Sequence, residues 1–266
     1  MPELSRRLVP AFAYEGGKAA LRTWIIDFVP AQGSLYVEPF AGRGNLFWLA
    51  CCCRHFKSWW LNDKRTAPFY EALEKVDVRL LPTQVETIEE AYWAERKAQG
   101  DPVAWVIEQE MVRSGSAIGA STFRGTRRRS DGERLYYNAA NVFKKVDTAQ
   151  RMLRHFRPQV TDWDYTALAW HDWDESVFVY LDPPYLGAKV DAYSEGDLDY
   201  QELVQLMQQT RARWLLSEYE NPVYKALGKP ISRKYKSTSI ANSSRNMGKV
   251  RPGRMECLWA SGNLRG

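Results

Sequence analysis

Residues 33–63, GSLYVEPFAGRGNLFWLACCCRHFKSWWLND, decide the fold. Leu35 to Val37 read as a strand. It stops at Glu38-Pro39, because proline donates no ladder hydrogen bond. Gly42 and Gly44 in AGRG supply a tight turn. The apolar run Asn45 to Cys53 then has the length of a helix. Ser58 to Leu61 read as a second strand ending at Asn62-Asp63, and a further helix covers Ala67 to Lys75. Strand, helix, strand, helix is the order of an α/β chain with a parallel, doubly wound sheet.

Working outward, residues 17–29 predict a short helix stopped by Pro30. Between about residues 80 and 155 the pattern changes. Helices are predicted over Val85 to Ala98, over Pro102 to Arg113 with Asp101 as N-cap, and over Ala139 to His155. Between the last two lies SGSAIGASTFRGTRRRSDGERLYYN, rich in Gly, Ser and Arg and without period. A loop of that length inside a domain is usually functional. Strand signals resume in QVTDWDY and in Val177 to Leu181. A helix follows over Asp199 to Arg211, then a strand over Trp214 to Ser217, then ISRKYK and MECLWAS. The organisation expected is a sheet domain of residues 1–80 and 156–266, carrying residues 81–155 as an inserted helical subdomain.

Composition narrows the class. No apolar run approaches the roughly 20 residues of a transmembrane helix, and MPELSRRLVPAFAYEGG lacks the apolar core of a signal peptide. A cytoplasmic chain is expected. Cys51, Cys52 and Cys53 sit in an apolar helix, and no Cys or His spacing fits zinc, so no metal is expected. The net charge is +5. Its distribution says more than its size. From Lys225 to Arg254 there is no acid and nine bases, among them Lys236, Arg245 and Lys249, interleaved with Asn242 and serines. Arg124, Arg127, Arg128, Arg129 and Arg134 form a second cluster. Two such clusters suit phosphate contacts; either alone reads as a solvated loop.

Four features fall at strand C-terminal ends, where α/β sheets bind ligands. EPFAGRGN offers a glycine turn into a helix N-terminus. Asp63, about 20 residues on, stands either as a helix cap or at the spacing of an acid that reaches ribose hydroxyls. YEGGK, Tyr14 to Lys18, is either a plain helix entry or a backbone and cation beside a ligand carboxylate. LDPPY ends the Val177 to Leu181 strand. An exocyclic amine is a poor nucleophile until acceptors face its N–H bonds. Asp182 and the Pro183 carbonyl supply two, and Tyr185 a face for a base, worth ~1–3 kcal/mol by stacking. A proline turn with a capping acid and a packing ring remains the plainer reading of this tetrapeptide alone.

In order, Y-x-G-G-K, E-P-F-A-G-x-G, N-D, a basic insertion and D-P-P-Y resemble the Dam-type DNA adenine N6-methyltransferases, from about Phe12 to Trp259. IANSSRNMGKVRPGRMECLW looks like that family's closing loop and strand. The resemblance implies a Rossmann-like, mostly parallel seven-stranded methyltransferase sheet with S-adenosylmethionine as donor. It implies that Tyr14, Gly17 and Lys18 line the donor's methionine end, that Phe40, Gly42 and Gly44 form its turn, and that Asp63 holds the nucleoside. Asp164 would lie near the donor's adenine, and Asp182 would also border the donor. Asp182, Pro183 and Tyr185 would hold an adenine flipped from duplex DNA, as in DNA methylation with or without a restriction partner.

The insertion would read the target, with Arg113, Arg124, Arg127, Arg128 and Arg129 as DNA contacts, joined by Lys236, Asn242, Arg245 and Lys249 of the closing region. One departure stands out. Family members that read GATC carry an Arg-Tyr-Gly-Tyr-Asn-Gly-like stretch, whereas residues 112–125 here read VRSGSAIGASTFRG. GATC is therefore not the assumed target. Adenine in RNA, and a silent nucleic-acid-binding relative, are the alternatives. A monomer or weak dimer is expected.

Overall fold

The computed structural model describes residues 10, 12, 18, 21–85, 89–111, 137–185, 198–236 and 254–264; of 235, 236 and 254 the backbone alone is described. In chain order the elements are α1 (Arg22–Ile25), β1 (Gln32–Glu38), α2 (Asn45–Cys53), β2 (His55–Asn62), α3 (Ala67–Lys75), α4 (Glu90–Ala98), α5 (Pro102–Met111), α6 (Ala139–Phe156), β3 (Gln159–Thr161), β4 (Val177–Leu181), α7 (Tyr200–Gln209), β5 (Arg213–Tyr219), β6 (Ser232–Lys236) and β7 (Arg254–Ala260). Seven strands form one sheet in the order β3-β2-β1-β4-β5-β7-β6. The first five run parallel, and β7 runs antiparallel to both β5 and β6.

The strands are longer than their apolar cores predict. β1 begins at Gln32 and β2 at His55, because Gln32 pairs with His55 and Gly33 with Phe56. Gln32, Gly33 and His55 are polar or glycine, so hydrophobic pattern does not mark them. Sheet pairing does.

β4 is buried along its whole length, as a central parallel strand covered on both faces must be. Its side chains alternate. Phe178 and Tyr180 join a core with Tyr36, Phe47, Trp48, Phe69 and Leu215. Val177, Val179 and Leu181 join the opposite core with Trp170, Trp173, Leu203, Met207 and Trp214. The first core also takes in Trp93, Val106, Ile107, Val142, Val146 and Met152, so helices α4 to α6 pack on the same apolar layer as α2 and α3.

Local signals set the helix ends. Asn138 accepts the Asn141 amide at 3.1 Å and caps α6, whose buried Val142, Val146, Ala149 and Leu153 recur at helical spacing. The Asp101 side chain accepts the Val103 amide at 2.9 Å, the cap that the sequence predicts. Of the helix expected over residues 17–29, the described residues hold a turn of α1 continued as 3₁₀ over Ile26–Phe28; 17, 19 and 20 lie outside them.

The topology fixes where a ligand sits. From β1 the chain winds to β2 and β3 on one side, then crosses to β4 on the other. Strand order reverses between β1 and β4, and the crevice outside their C-terminal ends is the binding position of an open α/β sheet.

Candidate active site

Glu38 and the glycine turn lie at the end of β1, Asn62 and Asp63 at the end of β2, and Asp182 to Tyr185 at the end of β4. Gly42 and Gly44 have φ of 52° and 63°. A Cβ on Gly44 would stand 2.8 Å from the Tyr70 hydroxyl, so glycine is required there on two counts. The turn is braced from below. Asp63 Oδ2 accepts the Gly42 amide at 2.9 Å, while Oδ1 accepts the Arg65 and Thr66 amides at 2.9 and 2.8 Å. Asp63 thus caps its own turn and clamps the glycine loop. A carboxylate accepts about four hydrogen bonds, and the described residues fill three of them.

The neighbouring Asn62, noted in sequence as the strand end and as part of N-D, was given no role there. It is buried, and its amide nitrogen donates to the Pro39 and Trp163 carbonyls at 3.1 and 3.0 Å. Its oxygen accepts the Thr161 hydroxyl at 2.7 Å and the Trp163 amide at 2.9 Å. One side chain therefore ties together the ends of β1, β2 and β3. Asp164, just beyond, caps a 3₁₀ turn through the Thr166 amide and pairs with Lys64 at 2.5 Å. That ammonium holds the Asp164 carboxyl down at about 2. The ring of Phe40 lies 5.6 Å from that of Tyr165 in the same turn.

The chemistry-bearing turn follows β4. Lys18 is 2% exposed and forms an ion pair with Asp182, and its Nζ lies 3.6 Å from Glu256 Oε1. Burial opposes the Lys18 charge, but Asp182, Glu256 and Glu218 outweigh it and raise its pKa. The ammonium also stands over the Tyr185 ring, 4.4 Å from its centroid. The Tyr185 hydroxyl donates to Glu256, and its ring meets that of Tyr219 edge-on at 4.5 Å. Ser217 donates to Asp182 at 3.4 Å and shares a 2.8 Å bond with the Tyr180 hydroxyl. The Tyr200 hydroxyl, at the start of α7, holds the Pro184 carbonyl at 2.6 Å.

Three further acids line this end of the sheet. Glu38, Glu218 and Glu256 are all buried. Burial pushes the Glu38 carboxyl up to about 8, against the pull of a 2.7 Å hydrogen bond from the Tyr36 hydroxyl. None was given a site role from sequence: Glu38 entered only as the first residue of E-P-F-A-G-x-G, and an isolated Glu in SEY or MEC carries no spacing signal. Among the described residues Asp182, Glu218 and Glu256 gather around the single ammonium of Lys18, which suits a positively charged ligand.

Lys18, Phe40, Gly42, Gly44, Asp63, Asp164, Asp182, Pro183 and Tyr185 all lie at this end of the sheet. Tyr14, Gly17, Arg113, Arg124, Arg127, Arg128, Arg129, Asn242, Arg245 and Lys249 lie outside the described residues. Lys236 ends β6. Among the described residues no group of His, Cys, Asp and Glu could hold a metal, and no helix is long and apolar enough to cross a membrane.

Residues 14–98 match the family model described as D12 class N6 adenine-specific DNA methyltransferase. The matched stretch holds Lys18, the glycine turn and Asp63. The mostly parallel seven-stranded sheet with flanking helices is consistent with an α/β, Rossmann-like methyltransferase fold, and the match supports a Dam-type adenine methyltransferase acting on DNA. No curated protein matches the chain.

Proposed function

We propose that this chain is a site-specific DNA adenine N6-methyltransferase, acting on an adenine flipped out of duplex DNA, with S-adenosylmethionine as donor. The observation that carries the reading is Asp182. It is fixed by the buried Lys18 at the end of the central strand β4, across the switch point from the glycine turn. The residues present fit the donor. Gly42 and Gly44, both at positive φ, turn the chain from β1 into the α2 N-terminus, and among the described residues Asp182, Glu218 and Glu256 gather around Lys18, which favours a cation. When bound, the donor supplies an electrophilic methyl group on a sulfonium.

The chain's own residues do the rest. Asp182 and the Pro183 carbonyl accept the two N–H bonds of the target amine and direct its lone pair at the methyl carbon. The amine gains positive charge as it is methylated, and a carboxylate already aimed at it stabilises that charge without reorganisation. Tyr185 provides a ring beside the base, which offsets the few kcal/mol of unstacking. Lys18 keeps Asp182 ionised and oriented. Asp63 and Asn62 hold the glycine turn that carries the donor, and Phe40 and Asp164 border its nucleoside end. Tyr14 and Gly17 complete the methionine end.

Residues 81–155 read the target on this account. Arg113, Arg124, Arg127, Arg128 and Arg129 contact DNA from there, and Lys236, Asn242, Arg245 and Lys249 from the closing region. The enzyme works as a monomer or weak dimer in the cytoplasm. Asp182→Ala tests the reading: it should retain donor binding by calorimetry and lose methyl incorporation into duplex DNA. An active Asp182→Ala chain would overturn it.

A further inference from the structure

Glu256 lies where stability alone gives it no reason to be. It is 0% exposed in a strand that continues Cys257, Leu258, Trp259, all buried and apolar or nearly so. Burying a carboxylate costs several kcal/mol of lost hydration, and an apolar residue of similar volume would serve packing as well or better. Its Oε2 has no hydrogen-bond partner among the described residues. Its Oε1, by contrast, is held tightly, as acceptor of the Tyr185 hydroxyl and 3.6 Å from Lys18 Nζ. β7 sets this reach, since Glu256 pairs with Tyr219 of β5, the residue whose ring abuts Tyr185.

We propose that Glu256 is a positioning residue for the Asp-Pro-Pro-Tyr turn, anchoring the Tyr185 hydroxyl directly and steering the Asp182 carboxylate through Lys18. A tyrosine anchored only by its Cα–Cβ bond sweeps a cone. With its hydroxyl held by Glu256, a cation over its face and Tyr219 at its side, the ring has one orientation. Lys18, drawn between Asp182 and Glu256, is likewise held from two sides. The last strand therefore takes part in placing the base-holding groups. This inference rests on the methyltransferase reading, since it assigns a second tier to that same site.

The test compares the full chain with Glu256→Gln, Glu256→Asp, Tyr185→Phe and the double variant Tyr185→Phe/Glu256→Gln. Methyl transfer is measured on duplex DNA that the unaltered chain methylates. A matching duplex carries 2-aminopurine for the accepting adenine, whose fluorescence reports the flipped base. Glu256→Gln should lower kcat by about 10- to 100-fold, with KM for donor and for DNA within about threefold, because small misplacements of reacting groups cost rate. Glu256→Asp should recover part of the loss. In the Tyr185→Phe background, Glu256→Gln should cost much less than it does alone, and both single variants should change the 2-aminopurine signal. Unaltered kcat in Glu256→Gln, or losses that multiply in the double variant, would overturn the inference. If Glu256→Gln fails to fold, Tyr185→Phe decides: a wild-type kcat and 2-aminopurine signal overturn it. Failure of the unaltered chain to methylate DNA is a different result, which removes the functional reading itself.

Discussion

Replacing Lys18 by Met removes the buried cation while keeping most of the side chain's volume. Asp182, 19% exposed, and Glu256, fully buried, then face each other without it, with Glu218 and Glu38 nearby. Leaving a buried charge unpaired costs about 3–5 kcal/mol. The protein can escape by binding one proton, which limits the loss. Protonating a carboxyl of ordinary pKa about 4.3 costs about 1.4 kcal/mol for each pH unit above that value. The ceiling is therefore about 3–4 kcal/mol at pH 7 and about 1 kcal/mol at pH 5. The sign follows from linkage. The variant's folded state binds a proton that its unfolded state releases above about pH 4.3, so its stability relative to wild type falls as pH rises. Urea unfolding of both chains from pH 5 to 8 should show the gap widening by about 1.4 kcal/mol per unit until the ceiling set by the unpaired charge. Adding Glu256→Gln to Lys18→Met should restore at least half of the loss at pH 7. A gap that is flat with pH, or a double variant no better than the single, would refute this picture of the cluster.

Other perturbations follow from the same geometry. Glu38 stays protonated in the folded chain up to about 8 because it is buried, so the wild type loses stability between pH 5 and 8 relative to Glu38→Gln. The relative change should be about 3–5 kcal/mol in chemical unfolding. Asn62→Ala strands the partners of four hydrogen bonds and should cost about 2–4 kcal/mol by the same assay. Replacing Arg127, Arg128 and Arg129 together by Gln should lower the salt slope of DNA binding by about 2–3 if all three contact phosphates; an unchanged slope in a fluorescence-anisotropy titration would remove them from the interface.

The sheet was legible because its signals are local. The two strands that flank the switch point, β1 and β4, run into a proline that cannot continue them, at Glu38-Pro39 and Asp182-Pro183, and the helices α2 and α7 carry an apolar run or a cap. The polar first residues of β1 and β2 were not legible, since only pairing with each other makes them strand. The same divide runs through the site. Lys18, Gly42, Gly44, Asp63 and Asp182 stood out because glycine, proline and charge at strand ends are unusual in themselves. Their pairing did not. That Lys18 grips Asp182, across 164 positions of sequence, is a consequence of topology. Glu256 was hidden for the same reason: an acid amid Met255, Cys257 and Leu258 reads as an edge residue until β7 is seen beside β5. Asp63 carried two meanings in sequence. The capping one is realised in full.

The central claim is that Asp182, aimed by Lys18, activates an adenine amine. It is tested most directly by incubating the full chain with methyl-labelled S-adenosylmethionine and duplex DNA, then digesting the DNA to nucleosides for mass spectrometry. The account predicts label in N6-methyldeoxyadenosine and in no other nucleoside, and its loss in Asp182→Ala. Label on cytosine, label in structured RNA but not in DNA, or undiminished label with Asp182→Ala would contradict it.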